Sequence, residues 1–342
     1  MTDARFNPDG LVLSDRYADT MDNVVLPWLA ARRGDVTVAG EGGRPLFCSR
    51  FDAERPMGTV MVVHGFTENV DKYAELIHSL LRNGYSVVAY DQRGHGRSWR
   101  DPAISDVSLT HVDHFETYVA DMKAVCDAVL TGVPRPWLLF SHSMGGAVAA
   151  LFLESHPGLF ARAVFCAPMI APNLGGLPTA AAGLLCGAAE LLGGDKKRVF
   201  VSKPYAGTER FETACATGRA RFDWYEALRA RTPVFRNNGP TYGWTREAMR
   251  VTKRALAAGA VERIAIPVRI YTAENDNSVM PDAQADFAAR LRDGRRELIP
   301  GSKHEIYRSG DDVLFGWWHG ILEFFGEQIQ GGTSNEGKRG IP

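Results

Sequence analysis

The sequence predicts an α/β protein with a mostly parallel sheet flanked by helices and a helical cap inserted before the last strands. From Gly58 onward, short apolar runs typical of strands alternate with stretches of helical periodicity. The strand-like runs are almost continuously apolar, as strands buried on both faces require. The alternation stops from about Ala171 to Gly243 and then resumes, which indicates an insertion between two parts of one sheet.

The predicted elements follow one another along the chain in the order that such a sheet needs. Apolar, β-branched runs predict strands at residues 59–63, 85–90, 137–140, 163–166, 268–271 and 297–299. Apolar residues at helical spacing predict helices at residues 73–83, 114–130, 147–154, 281–291 and 312–328. Ahead of these elements, residues 36–38 and 46–48 predict two antiparallel strands at the edge of the sheet.

The same pattern divides the chain into domains. Residues 1–33 are predicted to form an N-terminal extension, and residues 34–170 together with 244–330 the α/β core. Residues 171–243 accumulate alanine, arginine and aromatic side chains and predict the helical cap. Residues 331–342 are polar and glycine-rich, so we expect a disordered tail.

Composition and charge argue against several classes of protein. The 342 residues carry 39 basic and 40 acidic side chains, a net charge of -1, so no nucleic-acid partner is expected. The five cysteines are scattered without a CxxC pair, which predicts free thiols in a cytoplasmic protein. Residues 1–5 lack the apolar stretch of a signal segment. The longest apolar stretch, residues 177–192, is interrupted by proline, glycine and glutamate, so no membrane-spanning helix is expected.

The most informative motif is Ser141-His142-Ser143-Met144-Gly145-Gly146. Ser143 follows a predicted buried strand and precedes an alanine-rich helix, an arrangement that resembles the nucleophile elbow of α/β-hydrolases. Small neighbours are needed because strand and helix nearly touch at such a turn, and the helix N-terminus supplies free N–H groups. The usual motif begins with glycine, where this chain has Ser141. An ordinary serine in a strand-to-helix turn is the alternative.

A serine nucleophile needs a base, and the base needs a carboxylate to orient it; both are predicted after the cap. His304 lies in a loop directly after the strand at residues 297–299, where a base can reach over the carboxyl edge of the sheet. His319 lies among aromatic residues of the last helix, which favours a packing role. Asp276 follows the preceding strand and is the preferred acid, with Glu274 as its competitor and helix capping as its alternative role.

Two backbone N–H groups are expected to form an oxyanion hole. One belongs to Met144, directly after the nucleophile, and the other to Phe66, in the loop after the first parallel strand. His64, in the same loop, is predicted to be structural. The loop at residues 91–98 contains two glycines, but its spacing is not that of a phosphate-binding loop, which predicts a scaffolding role.

Taken together, these motifs resemble the monoglyceride-lipase and bacterial lysophospholipase branch of the serine α/β-hydrolases. The resemblance runs from about Gly34 to Gly326 and rests on His64-Gly65-Phe66, residues 91–96, Ser143-Met144-Gly145-Gly146, Asp276 and His304. Within the cap, residues 238–244 are similar to a segment of the enteric-type bacterial lysophospholipases. The resemblance implies the α/β-hydrolase fold and peripheral association with the inner membrane. It also implies a catalytic triad and two oxyanion donors, namely Ser143, Asp276 and His304 with Phe66 and Met144.

The cap is expected to lie over the nucleophile and to face the substrate. Its aromatic residues, among them Trp224, Tyr242 and Trp244, are candidates to line an acyl tunnel, and the alternative is that they form the cap's own core. Four leucines between residues 184 and 192 precede a basic run at residues 196–198. Such a stretch suits contact with a lipid surface, although a buried cap helix is the commoner arrangement. The cap's arginines are candidates to meet a lipid phosphate, with solvation at the surface as the alternative.

The predicted function is that of a serine esterase that hydrolyses the acyl ester of lysophospholipids or monoacylglycerols through an acyl-enzyme. We expect a cytoplasmic enzyme with a small lipid ester as partner, peripheral contact with the inner membrane through the cap, and no cofactor. No metal is expected either, and a site formed by His111, Asp113 and His114 is a weak alternative. The competing functions are a carboxylesterase for short soluble esters, a cap-type aminopeptidase and, in another class, a catalytically silent hydrolase fold that acts as a binding module.

Overall fold

A central sheet of eight strands organises the protein. A computed structural model describes residues 3–207 and 209–333, with side chains as far as residue 327. The strands are β1 Arg33–Ala39, β2 Pro45–Phe51, β3 Gly58–Val63, β4 Tyr85–Tyr90, β5 Leu109–Thr110, β6 Trp137–His142, β7 Arg162–Cys166, β8 Gly239–Pro240, β9 Val268–Asn275 and β10 Gly294–Lys303. In space the sheet runs β1-β2-β4-β3-β6-β7-β9-β10, antiparallel as far as β4 and parallel beyond it. The predicted mostly parallel sheet with antiparallel edge strands is therefore confirmed.

Helices cover both faces of this sheet. They are α1 Tyr17–Thr20, α2 Leu26–Ala30, α3 Ala74–Arg82, α4 Glu116–Val129, α5 Met144–Ser155, α6 Thr179–Leu191, α7 Arg219–Arg231, α8 Tyr242–Ala255, α9 Pro281–Arg290 and α10 Asp311–Thr333. Strand β3 shows why the strands are apolar throughout: Met61 and Val63 pack into the core under α4, α5 and α9, whereas Val60 and Val62 pack into the core under α3 and α10. Successive side chains of a strand point to opposite faces, so both sets must be apolar.

The two ends of the chain differ from the predicted division. The first 33 residues do not stand apart from the core, because Leu11, Val12 and Met21 are fully buried in the cluster that also holds α3 and α10. Helix α10 extends to Thr333, so residues 331–333 of the predicted tail are helical. The rest of that tail, residues 334–342, lies outside the described residues.

The cap lies between β7 and β9 and is mainly helical, as predicted, but two of its details were missed. A two-residue bridge pairs β8 with β5, which joins the cap to the loop before α4. So short a pair has no sequence signature. Helix α8 begins at Tyr242, with the Thr241 hydroxyl accepting a hydrogen bond from the Trp244 N–H, so the predicted boundary after residue 243 falls in its first turn.

Candidate active site

Ser143 occupies the turn between β6 and α5 in a strained backbone conformation. Its φ of 51° lies in the left-handed region, which residues with a Cβ seldom adopt. Two backbone hydrogen bonds hold the turn: the Ser143 N–H donates to the Cys166 carbonyl at 3.1 Å, and the Met169 N–H donates to the Ser143 carbonyl at 2.9 Å. The predicted strand–turn–helix arrangement is therefore present, and the surrounding backbone sustains its strain.

The small residues beside Ser143 are required by close backbone approach. A Cβ on Gly145 would overlap the carbonyl oxygens of Val63 and His64, and a Cβ on Gly146 would lie 2.6 Å from the Cβ of Pro168. Ser141, at the position usually held by glycine, is fully buried in β6, and its hydroxyl donates to the Val164 carbonyl at 3.3 Å. The departure from the usual motif is thus accommodated by one hydrogen bond to the neighbouring strand.

The three residues predicted as a triad lie within hydrogen-bond distance of one another. His304 Nε2 is 2.8 Å from Ser143 Oγ, and His304 Nδ1 is 2.8 Å from Asp276 Oδ2. The second carboxylate oxygen of Asp276 accepts hydrogen bonds from the backbone N–H groups of Ser278 and Val279 at 2.8 and 3.1 Å. Burial by itself would raise the pKa of Asp276, but the hydrogen bond and charge of His304 outweigh burial and lower this pKa below its ordinary value. The carboxylate is therefore ionised and fixed in position.

The two competitors lie elsewhere. Glu274 is exposed, and its carboxylate accepts a hydrogen bond from the Gly301 N–H at 2.8 Å instead of contacting His304. The expected packing role of His319 was wrong, since its side chain is exposed and contacts Asp9 at 3.2 Å. Neither residue is in contact with Ser143.

The loop after β3 lies directly against the nucleophile. A Cβ on Gly65 would lie 3.0 Å from the Ser143 Cβ, so glycine allows this close approach. Phe66 follows it on the wall of the same cavity as Ser143, and its N–H donates to no acceptor among the described residues. Met144 is the first residue of α5, where an N–H has no acceptor within the helix. Both predicted oxyanion donors thus have free N–H groups beside Ser143.

Two polar residues behind this loop act as its scaffold, as the sequence predicts. His64 Nδ1 donates to the Gly65 carbonyl at 2.7 Å, and Nε2 accepts from the Gln92 N–H at 2.8 Å. Burial lowers the pKa of His64 to about 4, so its ring is neutral. Asp91 accepts hydrogen bonds from the N–H groups of Val70 and Arg97, while burial raises its pKa to about 6. These contacts hold the loop after β3 and the loop after β4 together.

A cavity of about 740 Å³ opens onto Ser143 and His304. Its lining is mainly apolar and comes largely from the cap, with Leu174, Leu177, Leu185, Val199, Phe200 and Val201 on that side. Of the aromatic residues predicted to contact substrate, Tyr242 and Trp244 line the cavity. The ring of Trp244 packs on Phe66 with 4.1 Å between centroids, which links the cap to the loop after β3.

The prediction that Trp224 lines the cavity was wrong. Its indole Nε1 donates to Asp22 at 2.9 Å, and its ring meets the edge of Tyr17 with 6.0 Å between centroids. Trp224 belongs to the core cluster under α3 and α10, where it joins the cap helix α7 to the N-terminal helices. Its packing partners come from residues that the sequence placed in a separate extension.

Five arginines of the cap are paired with carboxylates of the protein. The pairs are Arg210–Glu212, Arg219–Asp223, Arg221–Glu75, Arg229–Glu209 and Arg231–Asp22. Within the described part of the chain, no lysine or arginine side chain lines the cavity. The suggestion that these arginines meet a lipid phosphate therefore finds no support in their contacts.

A cluster of possible metal-ligating atoms lies away from Ser143. It consists of His111, Asp113 and Asp195, whose ligand atoms lie within 4.8 Å of one another, and His114 is not part of it. Both ring nitrogens of His111 are already engaged, Nδ1 with the Thr241 hydroxyl at 2.8 Å and Nε2 with Asp113 at 3.1 Å. These contacts explain why the residues cluster: they join the cap to the loop before α4.

A buried charged network beside the triad was not predicted from the sequence. Lys72 Nζ lies 3.2 Å from Glu68 and 2.7 Å from Glu305, and Glu305 in turn pairs with Arg308 at 2.5 Å. His142, the residue before the nucleophile, contacts Glu68 at 3.1 Å. Position in the sequence could have indicated this network, because Glu68 and Glu305 lie in the same loops as the predicted oxyanion donor and base.

The chain order of the hydrogen-bonded residues is serine, aspartate, histidine, which is the order found in α/β-hydrolases. Together with the mostly parallel sheet, it defines the class as a serine hydrolase of the α/β-hydrolase fold. A comparison with family models narrows this class: the model described as serine aminopeptidase, S33, matches residues 54–311. The chain belongs to this family.

Individual relatives and solved structures agree with this assignment. The chain is 30% identical to lysophospholipase L2 of Escherichia coli (strain K12), over 86% of this chain and 88% of that protein. It is 33% identical to the monoglyceride lipase of Homo sapiens, over 38% of this chain and 42% of the human protein. A soluble variant of monoglyceride lipase from Saccharomyces cerevisiae superimposes with a TM-score of 0.67 at 16% identity, over 87% of this chain and 96% of the yeast chain. That last similarity supports the fold alone.

Proposed function

We propose that this protein is a serine esterase that hydrolyses the acyl ester of lysophospholipids or monoacylglycerols through an acyl-enzyme intermediate. The observation that carries the proposal is the apolar cavity of about 740 Å³ that ends at the hydrogen-bonded Ser143, His304 and Asp276. The relatives named lysophospholipase and monoglyceride lipase act on substrates of this kind, which supports the same class here.

The proposed reaction needs only groups that the chain supplies. His304 Nε2 takes the proton of Ser143 Oγ as this oxygen attacks the ester carbonyl carbon, and Asp276 stabilises the imidazolium that forms. The N–H groups of Phe66 and Met144 donate to the oxyanion. When the tetrahedral intermediate collapses, the ester C–O bond breaks and His304 returns its proton to the leaving alcohol. Water, deprotonated by His304, then attacks the acyl-enzyme and releases the fatty acid and Ser143.

The apolar lining favours long acyl chains. Burying one methylene group is worth about 0.8 kcal/mol, or roughly fourfold in kcat/KM when the transition state retains the contact. Acyl chain length should therefore raise kcat/KM steeply until the chain fills the cavity. Short soluble esters would leave most of that lining without a partner, which separates the proposal from the alternative of a short-chain carboxylesterase.

Because the matching family is described as serine aminopeptidase, peptide hydrolysis by an aminopeptidase is the second candidate function. One panel on one preparation separates the candidates: lysophosphatidyl lipids, monoacylglycerols, short nitrophenyl esters and aminoacyl nitroanilides. We expect the highest kcat/KM on a long-chain lipid ester. A preference for short esters or for the nitroanilides would overturn the lipid assignment.

Substitution of Ser143 tests the mechanism. Ser143→Ala should abolish hydrolysis and covalent labelling by a fluorophosphonate probe while leaving the melting temperature unchanged. Ser155→Ala, at the other end of α5, is the matched control and should retain both. Wild-type protein that the probe fails to label would favour the catalytically silent binding module instead.

We also propose that the cap makes peripheral contact with the inner membrane from the cytoplasmic side. In the cap, Leu184, Leu191 and Leu192 are 77%, 89% and 85% exposed, and Phe200 and Val201 are 71% and 74% exposed. Phe200 and Val201 also line the cavity, so the exposed apolar surface is continuous with its wall. The commoner arrangement, a buried cap helix, does not describe these leucines. No helix in the described part of the chain is long and apolar enough to cross a bilayer.

The neighbouring basic residues support an anionic lipid surface as the partner. Lys197 and Lys203 are exposed in the segment that carries the exposed apolar residues, whereas Lys196 pairs with Asp101 at 2.8 Å. Basic residues near an anionic surface contribute about 1 kcal/mol each. The free thiols, four of them buried, are consistent with a reducing compartment.

Vesicle sedimentation tests the contact. A Leu191→Ser, Leu192→Ser double variant should bind vesicles of phosphatidylethanolamine and phosphatidylglycerol at least about tenfold more weakly, because full burial of one leucine is worth about 1.5–3 kcal/mol. Neither leucine lines the cavity, so hydrolysis of a soluble nitrophenyl ester should be unchanged. Val36→Ser, on the exposed edge strand β1, is the matched control and should bind as the wild type. Equal binding of all three proteins would contradict the proposal.

A further inference from the structure

His142, the last residue of β6 and the one directly before the nucleophile, contacts an acceptor at each ring nitrogen. Its Nδ1 lies 3.1 and 3.2 Å from the two carboxylate oxygens of Glu68, and its Nε2 lies 3.2 Å from the backbone carbonyl oxygen of His304. A backbone carbonyl and an ionised carboxylate can only accept hydrogen bonds. Both nitrogens of His142 must therefore carry hydrogen, which makes the ring an imidazolium.

We propose that His142 is a charged positioning residue, paired with Glu68, that holds the nucleophile turn, the oxyanion loop and the loop of the catalytic base in register. The proposal rests on the proposed function in so far as Ser143, His304 and Phe66 act as described there. It adds two residues that position the reacting groups without themselves taking or giving the proton in the reaction.

Glu68 makes this pair a junction of three loops. Its carboxylate accepts from the Gly65 N–H at 2.5 Å, directly before the proposed oxyanion donor Phe66. It also accepts from the hydroxyls of Tyr73 and Tyr307, each at 2.6 Å. Tyr307 follows His304 in the loop of the base. One carboxylate therefore fixes the oxyanion loop directly and the base loop through His142 and Tyr307.

The charged groups around His142 support its protonation. Burial lowers the pKa of His142, but the carboxylate of Glu68 outweighs burial and raises the pKa above its ordinary value, with a further contribution from Glu305. The pKa of Glu68 lies well below its ordinary value despite burial, chiefly because of His142 and Lys72.

The neighbouring rings of His64 and Tyr307 add no charge of their own. Burial lowers the pKa of His64 to about 4, so this ring stays neutral. Burial, reinforced by Glu305 and Glu68, raises the pKa of Tyr307 well above its ordinary value, so the phenol keeps its proton. Its ring meets the edge of His142 with 5.0 Å between centroids.

The ring of His142 also packs against that of the base, with 4.8 Å between the centroids of the His142 and His304 rings.

Nitrogen-15 NMR of histidine-labelled wild-type protein tests the charge without any hydrolysis. At pH 7 we expect the two ring nitrogens of one buried histidine, assigned to His142 by its loss in His142→Gln, to show the nearly equal shifts of an imidazolium. A neutral tautomer of His142 at pH 7 would overturn the proposal. Because this readout needs no substrate, it stands even if the lipid panel fails.

Kinetics on a soluble nitrophenyl ester tests the positioning role. Glu68→Gln should lower kcat by about 10²-fold, the cost of a displaced catalytic group, with KM within about twofold of wild type. Glu68→Asp should recover part of this loss. Glu75→Gln, a matched control in a buried ion pair outside the site, should keep wild-type kcat. Equal losses in Glu68→Gln and Glu75→Gln would reduce Glu68 to a structural role and overturn the proposal.

Discussion

Replacing Asp276 with asparagine tests the triad at the atom on which the orientation of His304 depends. Asp276 Oδ2 accepts from His304 Nδ1 at 2.8 Å, and Oδ1 accepts from the Ser278 and Val279 N–H groups. The amide oxygen of asparagine can keep the two backbone hydrogen bonds, which leaves its NH₂ group facing His304 Nδ1. Two donors cannot face each other, so the imidazole must move its proton to Nε2, the atom that accepts from Ser143.

The expected loss follows from this change of tautomer. With a hydrogen on Nε2, His304 has no lone pair directed at Ser143 Oγ, and general-base catalysis fails. We expect kcat to fall by about 10⁴-fold, equivalent to about 5.4 kcal/mol of transition-state stabilisation. KM should change little, because Asp276 does not line the cavity.

The assay compares Asp276→Asn with Glu274→Gln, the rejected competitor, by hydrolysis of a soluble ester and by the rate of fluorophosphonate labelling. Glu274→Gln should retain wild-type rates, because Glu274 contacts the Gly301 N–H and not His304. An Asp276→Asn protein within tenfold of wild type, or a Glu274→Gln protein that loses activity to the same extent, would refute the assignment of the acid.

The same substitution has a consequence for stability. The pKa of Asp276 is lower in the folded protein than in the unfolded chain, so its ionised form stabilises the fold above the unfolded pKa. This contribution is lost as pH falls through the folded pKa. The free energy of unfolding of the wild type should therefore fall as the pH is lowered from 6 through the ordinary aspartate pKa of about 4. That of Asp276→Asn should fall less over the same range.

Three further substitutions test the architecture around the site. Gly145→Ala should abolish activity and lower the melting temperature, because the new Cβ meets backbone carbonyls at the end of β3 that cannot move aside; a native melting temperature with normal activity would contradict this. Glu154→Gln should stabilise the protein at pH 9 but not at pH 5, as measured by thermal unfolding at both pH values. Burial raises the pKa of Glu154 to about 8. Ionisation of this side chain therefore destabilises the fold as the pH rises from the pKa of the unfolded chain through that of the folded protein. Equal effects at the two pH values would contradict it. Arg221→Ala should lower the free energy of unfolding in urea by about 3–5 kcal/mol, because it removes the cation that pairs with both Glu75 and Asp311. An unchanged unfolding midpoint would show that these ion pairs contribute nothing.

The two sides of the cap differ in how they join the core. Helix α7 is held by Arg221, which bonds Glu75 of α3 and Asp311 of α10, and by Trp224, which bonds the N-terminal helices. Helix α6 instead packs on α8 and presents exposed leucines. No residue of α7 lines the cavity, whereas Leu185 of α6 does. The exposed leucines for which lipid contact is proposed therefore lie on the helix that borders the cavity.

The triad could be predicted because parallel strands bring distant residues together in a regular way. The carboxyl ends of parallel strands meet at the same edge of a sheet. Ser143 follows β6, Asp276 lies just after β9, and His304 follows β10, so identifying the strands was enough to bring the three residues close. Local sequence also indicated the need for glycine at position 145, since a strand-to-helix turn of this kind leaves no room for a Cβ.

The surroundings of the triad depended on contacts that no local pattern encodes. Trp224 and the exposed Leu191 both lie on cap helices, and only packing decided that the first meets the N-terminal helices and the second meets solvent. The pairing of His142 with Glu68 joins residues 74 positions apart, one at the end of β6 and one in the loop after β3, whose separation depends on the sheet.

The sequence by itself determined the order of the elements, the nucleophile turn and the identity of the three hydrogen-bonded residues, because periodicity and turn chemistry act over a few residues. Tertiary structure alone decided which apolar side chains face the cavity, the core or solvent, and which buried charges pair. Burial and charge pairing are set by distances between segments remote in the chain, and the energy of a side chain depends on those neighbours more than on its own type.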